Sequence, residues 1–118
     1  MDVMIVEDEI IIQLATAHMV ESLGHQVLAR IQSAEDALER LERQTPDLIL
    51  MDIHLDGPMD GIEAGAIIRD RWKVPLAYAS AYTDGETLRR AAETEPVAFL
   101  AKPVTLENFR ELFDQVDC

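Results

Sequence analysis

Short apolar runs alternate along the chain with longer segments in which apolar residues recur at helical spacing. Five runs are almost entirely apolar, as expected for strands buried on both faces; they cover residues 4–6, 27–31, 48–51, 74–79 and 97–101. An amphipathic segment that predicts a helix follows each run. The pattern therefore predicts an α/β fold, a doubly wound five-stranded parallel sheet with five helices on its two faces.

Capping residues predict the helix boundaries. The first helical segment covers residues 9–23 and stops at Gly24. Its expected buried face consists of Ile12, Ala15, Met19 and Leu23. The later helices are expected to start at Ser33 with Asp36, at Asp60 with Glu63, at Thr83 with Glu86, and at Thr105.

The length, charge and composition of the chain argue against several classes of function. The chain has 118 residues and is expected to form one domain over residues 1–118. A net charge of −13 argues against direct binding to nucleic acid, because phosphate backbones would be repelled. The single cysteine, Cys118, excludes an internal disulfide, and no apolar run approaches the roughly 20 residues of a membrane span. A cytoplasmic location without membrane contact is expected.

Polar residues stand where the predicted strands end. Glu7 and Asp8 follow the first strand, Asp52 ends the third, Ser80 the fourth and Lys102 the fifth. In open α/β sheets the functional site lies beyond the carboxyl ends of the strands, so these side chains are expected to converge.

Such a cluster suits phosphoryl transfer. Three carboxylates in one cleft repel one another unless a cation compensates them, and oxygen ligands of this kind favour Mg²⁺, with Mn²⁺ as a substitute. A carboxylate can also attack phosphorus and form an acyl phosphate. Lys102 would then pair with one phosphoryl oxygen and Ser80 would donate a hydrogen bond to another.

At this point the sequence resembles the receiver domains of two-component response regulators, of the chemotaxis-regulator type. The matching segments are residues 6–9 (VEDE), 47–52 (DLILMD), 59–63 (MDGIE), 80–82 (SAY) and 102–103 (KP). They occur in the order and spacing of the family and span almost the whole chain. The resemblance implies a flavodoxin-like fold with strand order 2-1-3-4-5.

The resemblance also implies individual roles. Asp52 is similar to the phosphoacceptor, and Asp8, Glu7 and the backbone carbonyl of His54 are similar to metal ligands that act directly or through water. Phosphoryl binding and switching would fall to Ser80, the backbone of Ala81, Lys102 and Phe99. The Lys102–Pro103 bond resembles one that is cis in the family.

Several positions depart from the family pattern. Glu7 stands where aspartate is commoner, Ser80 where threonine is commoner, and Phe99 where tyrosine is found. The loop over residues 52–61 is one residue longer than in chemotaxis-type receivers. A slightly different metal shell is therefore expected, whereas the hydroxyl donor is kept.

Two bulky residues occupy positions that tune the lifetime of the phosphoryl group in the family. They are His54 and Tyr82. We expect them to limit the access of water and to slow dephosphorylation. An unchanged decay rate after replacement of both by alanine would contradict this expectation.

These residues predict a signalling domain that takes a phosphoryl group from a phosphohistidine of a sensor histidine kinase or a histidine phosphotransfer protein. The acceptor would assist its own modification and is not expected to be an enzyme. The switched surface would bind an unidentified downstream protein or form a phosphorylation-dependent homodimer.

Three alternatives accompany this interpretation. One is an interaction module that keeps the fold and works without phosphorylation. Another is a hydrolase with an aspartyl-phosphate intermediate, although His54 stands where its second acid is needed. The third is a calcium loop over residues 52–63, which His54 interrupts and which lacks an entering helix.

Overall fold

Strands and helices alternate along the chain in the order that the sequence pattern predicts. The computed structural model describes residues 1–81 and 84–117. The strands are β1 (Asp2–Val6), β2 (Gln26–Ile31), β3 (Leu48–Asp52), β4 (Leu76–Ser80) and β5 (Ala98–Ala101). The helices are α1 (Ile10–Ser22), α2 (Ala34–Leu41), α3 (Gly61–Arg71), α4 (Gly85–Glu93) and α5 (Leu106–Asp117).

All strand pairs are parallel, and their order is β2-β1-β3-β4-β5. This confirms the predicted fold class and strand order. Asp52 lies opposite Ala79, and Ser80 lies opposite Ala101. The carboxyl ends of β3, β4 and β5 therefore form one edge, which is the edge where the polar residues were expected to meet.

The sheet separates two apolar clusters, because successive side chains of each strand point to opposite faces. Val3 and Ile5 of β1 pack with α1 and α5, whereas Met4 and Val6 pack with α2 and α3. Since both faces of the strands are buried, continuous apolar runs were the correct signal. Among the described residues, no helix has both the length and the apolarity needed to cross a membrane.

The buried face of α1 differs from the prediction. Its buried residues are Gln13, Ala17 and Val20, whereas Ala15 is exposed. Ile12, Met19 and Leu23 are half-buried, and Met19 and Leu23 pack against the apolar cluster that contains Val20. The prediction was therefore correct only in part: it placed Ala15 inward and omitted Gln13, because it took every inward position to be apolar.

The helix starts agree only in part with the predicted caps. Asp60 and Glu63 form the complete capping box of α3, but Ser33 only accepts a hydrogen bond from the backbone N–H of Asp36. Thr105 accepts one from the N–H of residue 108, as expected. Thr83 lies outside the described residues, and α4 is capped instead by Asp84, which accepts from the N–H of residue 87.

A buried tyrosine joins α3, β4 and the end of α4. The Tyr78 hydroxyl lies 2.6 Å from Thr94 Oγ1. Because the Thr94 hydroxyl donates to the carbonyl of Ala91, Tyr78 is the donor to Thr94. On its other side the Tyr78 hydroxyl fills the space beside Gly65, where a Cβ atom would come within 1.9 Å of the oxygen.

This close approach predicts that a methyl group at position 65 would destabilise the fold. Gly65→Ala should lower the free energy of unfolding by roughly 1–3 kcal/mol, because Tyr78 cannot move without breaking its hydrogen bond. Gly85→Ala is the matched control, since nothing lies within 4 Å of the position that a Cβ atom would take there; it should change stability by less than about 0.5 kcal/mol. Urea denaturation measures both, and equal losses would contradict the steric explanation.

Candidate functional site

Three carboxylates converge at the carboxyl edge of the sheet. Glu7 and Asp8 follow β1, and Asp52 is the last residue of β3. One oxygen from each of these side chains lies within 4.8 Å of the other two. Glu7 is only 4% exposed and Asp52 only 6%. The predicted convergence of the three acids is therefore present.

Lys102 supplies the positive charge of this cluster. Its ammonium group donates to Glu7 Oε1 at 2.6 Å and lies 3.3 Å from Asp52 Oδ1. The backbone N–H of Lys102 donates to the carbonyl of Ser80, and the Lys102–Pro103 peptide bond is cis. Burial lowers the pKa of Lys102, but the hydrogen bond and charge of Glu7 together with the charge of Asp52 raise it overall.

The ionisation of Asp52 is strongly perturbed. Burial raises its pKa most, and repulsion by Glu7 raises it further. The Lys102 charge opposes this rise but does not cancel it, and the resulting pKa is about 7. A buried carboxyl that exchanges its proton near neutral pH is characteristic of functional sites.

Hydrogen bonds fix the turn that carries Glu7 and Asp8. The N–H of Glu7 donates to the carbonyl of Ile31 at the end of β2, and Glu7 Oε2 accepts from the N–H of Glu9. The side-chain amide of Gln13 donates to the carbonyls of Glu7 and Ile31 at 3.0 and 3.1 Å. Gln13 was missed in the sequence, because the predicted buried face of α1 consisted of apolar residues only; its helical spacing from Ala17 and Val20 is the signal that could have indicated it.

The loop between β3 and α3 is anchored on the same acids. The N–H of Asp56 donates to Asp8 Oδ2 at 3.1 Å. At the far end of the loop, Gly61 passes so close to the strand that a Cβ atom would lie 2.0 Å from the carbonyl oxygen of Asp52. A glycine is needed there because the helix start and the strand end share this space.

The remaining predicted residues are Ser80, Ala81, Phe99, His54 and Tyr82. Ser80 is buried at the end of β4, and the following Ala81 is exposed. Phe99 of β5 is half-buried and packs against the cluster that contains Tyr78. His54 is exposed two residues after Asp52, and Tyr82 lies outside the described residues.

The donor set suits a hard divalent cation. It consists of carboxylate oxygens only, from Glu7, Asp8 and Asp52, and the half-buried Asp8 leaves one side open to solvent. The rival calcium-loop interpretation needs a helix before Asp52, but the preceding residues form β3. Glu63, its last expected ligand, is instead engaged in the capping box of α3.

Comparison with known proteins identifies the family. A family model described as the response regulator receiver domain matches residues 3–114. The chain belongs to this family. A solved structure of the signal receiver domain of a modulated diguanylate cyclase from Desulfovibrio desulfuricans is 31% identical to this receiver domain, with a TM-score of 0.91, and the match covers 98% of this chain and 91% of that one.

Curated relatives of this receiver domain include regulatory proteins and protein-glutamate methylesterases. The transcriptional regulatory protein PdtaR of Mycobacterium tuberculosis is 28% identical over 106 residues, which cover 90% of this chain and 51% of the relative. The phyllosphere-induced regulator PhyR of Methylorubrum extorquens is 30% identical over 115 residues, with coverages of 97% and 42%. The receiver domain thus spans about half or less of these relatives.

The raised pKa of Asp52 predicts how stability depends on pH without metal. Unfolded, Asp52 titrates near its usual value of 3.8, and folded near 7. Between these values the folded state binds more protons, so stability falls as the pH rises from about 4 to about 7. Asp52→Asn removes this charge, and in chelator it should raise the melting temperature by several degrees at pH 8 but little at pH 4. An equal gain at both pH values, measured by calorimetry, would contradict the assignment.

Proposed function

We propose that this receiver domain accepts a phosphoryl group on Asp52 from a phosphohistidine, with the aid of Mg²⁺. The observation that carries the proposal is the position of the Asp52 carboxylate between the acids Glu7 and Asp8 and the Lys102 ammonium. A nucleophile flanked by a potential metal site and a fixed cation is arranged for attack on a phosphate.

Each proposed role has a location that supports it. An Asp52 oxygen would form the new bond to phosphorus while the bond from phosphorus to the imidazole nitrogen breaks. Lys102 lies within ion-pair distance of Asp52 and would hold one phosphoryl oxygen. Ser80 and the backbone N–H of Ala81, at the end of β4, would donate to the others.

The metal would be held by Glu7, Asp8, Asp52 and the backbone carbonyl of His54, with Mn²⁺ as a substitute. When bound, the cation supplies charge that favours ionised Asp52 and offsets the phosphoryl oxygens. Glu7 would have to contact both the metal and Lys102, since its Oε1 already accepts a hydrogen bond from the Lys102 ammonium group. The extra methylene of glutamate supports this double contact.

A protein donor is supported by the surface beside the site. Ile10, Ile11 and Leu14 of α1 are exposed, Ile11 to 83%. Ile11 also lines a cavity of about 500 Å³ that reaches Glu7, Asp52 and Lys102. An exposed apolar patch of this kind is typical of an interaction site. We propose that the histidine kinase or phosphotransfer protein contacts it.

The output is proposed to be a change of partner binding rather than catalysis. A phosphoryl group on Asp52 would draw Ser80 towards it, and Phe99 would follow, which shifts the population between two arrangements of α4 and β5. The downstream partner would be a protein or a second copy of this chain, in the cytoplasm. The acceptor takes part in its own phosphorylation and dephosphorylation without turning over a substrate.

Labelling tests the phosphoacceptor directly. Incubation with acetyl phosphate and Mg²⁺ should add one phosphoryl mass to the intact protein. Asp52→Asn should abolish this mass while circular dichroism stays unchanged, because asparagine keeps the shape but not the nucleophile. A label that persists in the variant would falsify the assignment.

The same experiment distinguishes the alternative functions. An unlabelled wild-type protein would favour the interaction module, and rapid turnover of a phosphate ester that requires Asp52 would favour the hydrolase.

The exposed surface of α1 allows a test of whether the phosphoryl donor is a protein. Ile11→Asn should slow transfer from a phosphorylated histidine protein about tenfold, as for loss of an interface contact worth about 1–2 kcal/mol. Labelling by acetyl phosphate should not change, since this small donor needs no docking surface. Leu88→Asn, which alters an exposed apolar residue of α4, is the control and should change neither rate. Equal slowing with both donors would exclude a docking role.

A further inference from the structure

We infer that Gln13 is a positioning residue for the acidic turn, and that its side-chain amide sets the Mg²⁺ affinity of Glu7 and Asp8. The inference rests on the proposed function, because it concerns the same metal site. Gln13 itself belongs to α1 and is only 3% exposed.

The hydrogen bonds identify what Gln13 does. Its Nε2 lies 3.0 Å from the carbonyl oxygen of Glu7 and 3.1 Å from that of Ile31. Only the NH₂ end of the amide can bridge two carbonyl oxygens, so both amide protons are used. Ile31 also accepts from the N–H of Glu7. The amide therefore ties the start of the turn to the end of β2.

Hydrogen bonds from backbone N–H groups hold the opposite side of the turn. The N–H of Gln13 donates to the carbonyl of Glu9 at 2.9 Å, and the N–H of Glu9 donates to Glu7 Oε2 at 3.2 Å. Residues 7–9 are thus held between the side chain and the backbone of one glutamine. The Asp8 carboxylate, which points towards the loop at Asp56, projects from the middle of this segment.

Neither an apolar nor a charged side chain suits this position as well as glutamine does. An apolar side chain would fit the buried face of α1 but would leave two carbonyl oxygens with fewer donors. A charged side chain would be buried almost completely, which is costly. A glutamine on an otherwise apolar face is therefore explained by the turn that it holds. Residues that orient metal ligands typically change metal affinity tenfold or more when they are removed.

The test compares two substitutions on the same buried face. Gln13→Met keeps the length and flexibility of the side chain but removes both hydrogen bonds. Val20→Ala destabilises α1 two turns later, at a residue that is fully buried and far along the helix from the acids. Mg²⁺ affinity is measured by titration of backbone NMR signals well below each melting temperature.

We expect Gln13→Met to weaken Mg²⁺ binding about tenfold and Val20→Ala to leave it within twofold of wild type. With acetyl phosphate, Gln13→Met should need more Mg²⁺ for half-maximal labelling but reach a similar rate at saturation. Equal Mg²⁺ affinity in Gln13→Met and wild type would overturn the inference, as would equal weakening in both variants, which would indicate a general loss of stability.

A measurement on the unaltered protein covers the case in which Gln13→Met does not fold. The side-chain NH₂ signals of Gln13 should exchange slowly with water and should shift as Mg²⁺ is added. Those of the exposed residues Gln26 and Gln44 should not shift. Signals of Gln13 that do not respond would reject the inference. Failure of the wild-type protein to bind Mg²⁺ at all would instead reject the proposed function.

Discussion

The carboxylates of Glu7 and Asp52 are almost completely buried and share the ammonium group of Lys102. Two such charges repel each other and lose hydration, so the fold can hold them only with a compensating cation or a bound proton. Lys102 provides part of this compensation, and the raised pKa of Asp52 shows that it does not provide all of it. Because the Lys102 ammonium does not fully neutralise the two carboxylates, the site is suited to a further positive charge.

The surrounding structure serves to keep this unfavourable cluster together. Five parallel strands deliver its members from β1, β3 and the end of β5 to one edge. The turn at residues 7–9 is tied to β2, the loop after β3 is tied to Asp8, and Gly61 lets α3 begin directly against Asp52. Each of these contacts uses backbone groups, so the positions of the acids are set before any ligand is present.

The sequence was sufficient for the strands and for the residues at their carboxyl ends, but helical periodicity identified the buried face of α1 only in part. Continuous apolar runs identified the strands because both faces of the sheet are covered, and the strand-end rule then placed Asp52 with Glu7, Asp8 and Lys102. The burial of Gln13 was not predicted, because its partners are backbone carbonyls, of Glu7 and of Ile31 at the end of β2, which no residue type in the sequence reveals. The cap of α4 at Asp84 was missed for a similar reason: neighbouring Thr83 and Asp84 both suit a cap, and only the backbone path decides between them.

The shared ammonium of Lys102 has a consequence for how this chain can change through mutation. Loss of Lys102 alone would leave two buried carboxylates without their protein cation, a change that costs about 3–5 kcal/mol in comparable buried pairs. Loss of Asp52 or Glu7 leaves Lys102 with the other acid as a partner. The three positions are therefore epistatic, and loss of one acid is tolerated better as a first step than loss of the lysine. A descendant that abandoned phosphorylation would therefore be expected to lose Asp52 or Glu7 first and to keep Lys102 paired with the acid that remains.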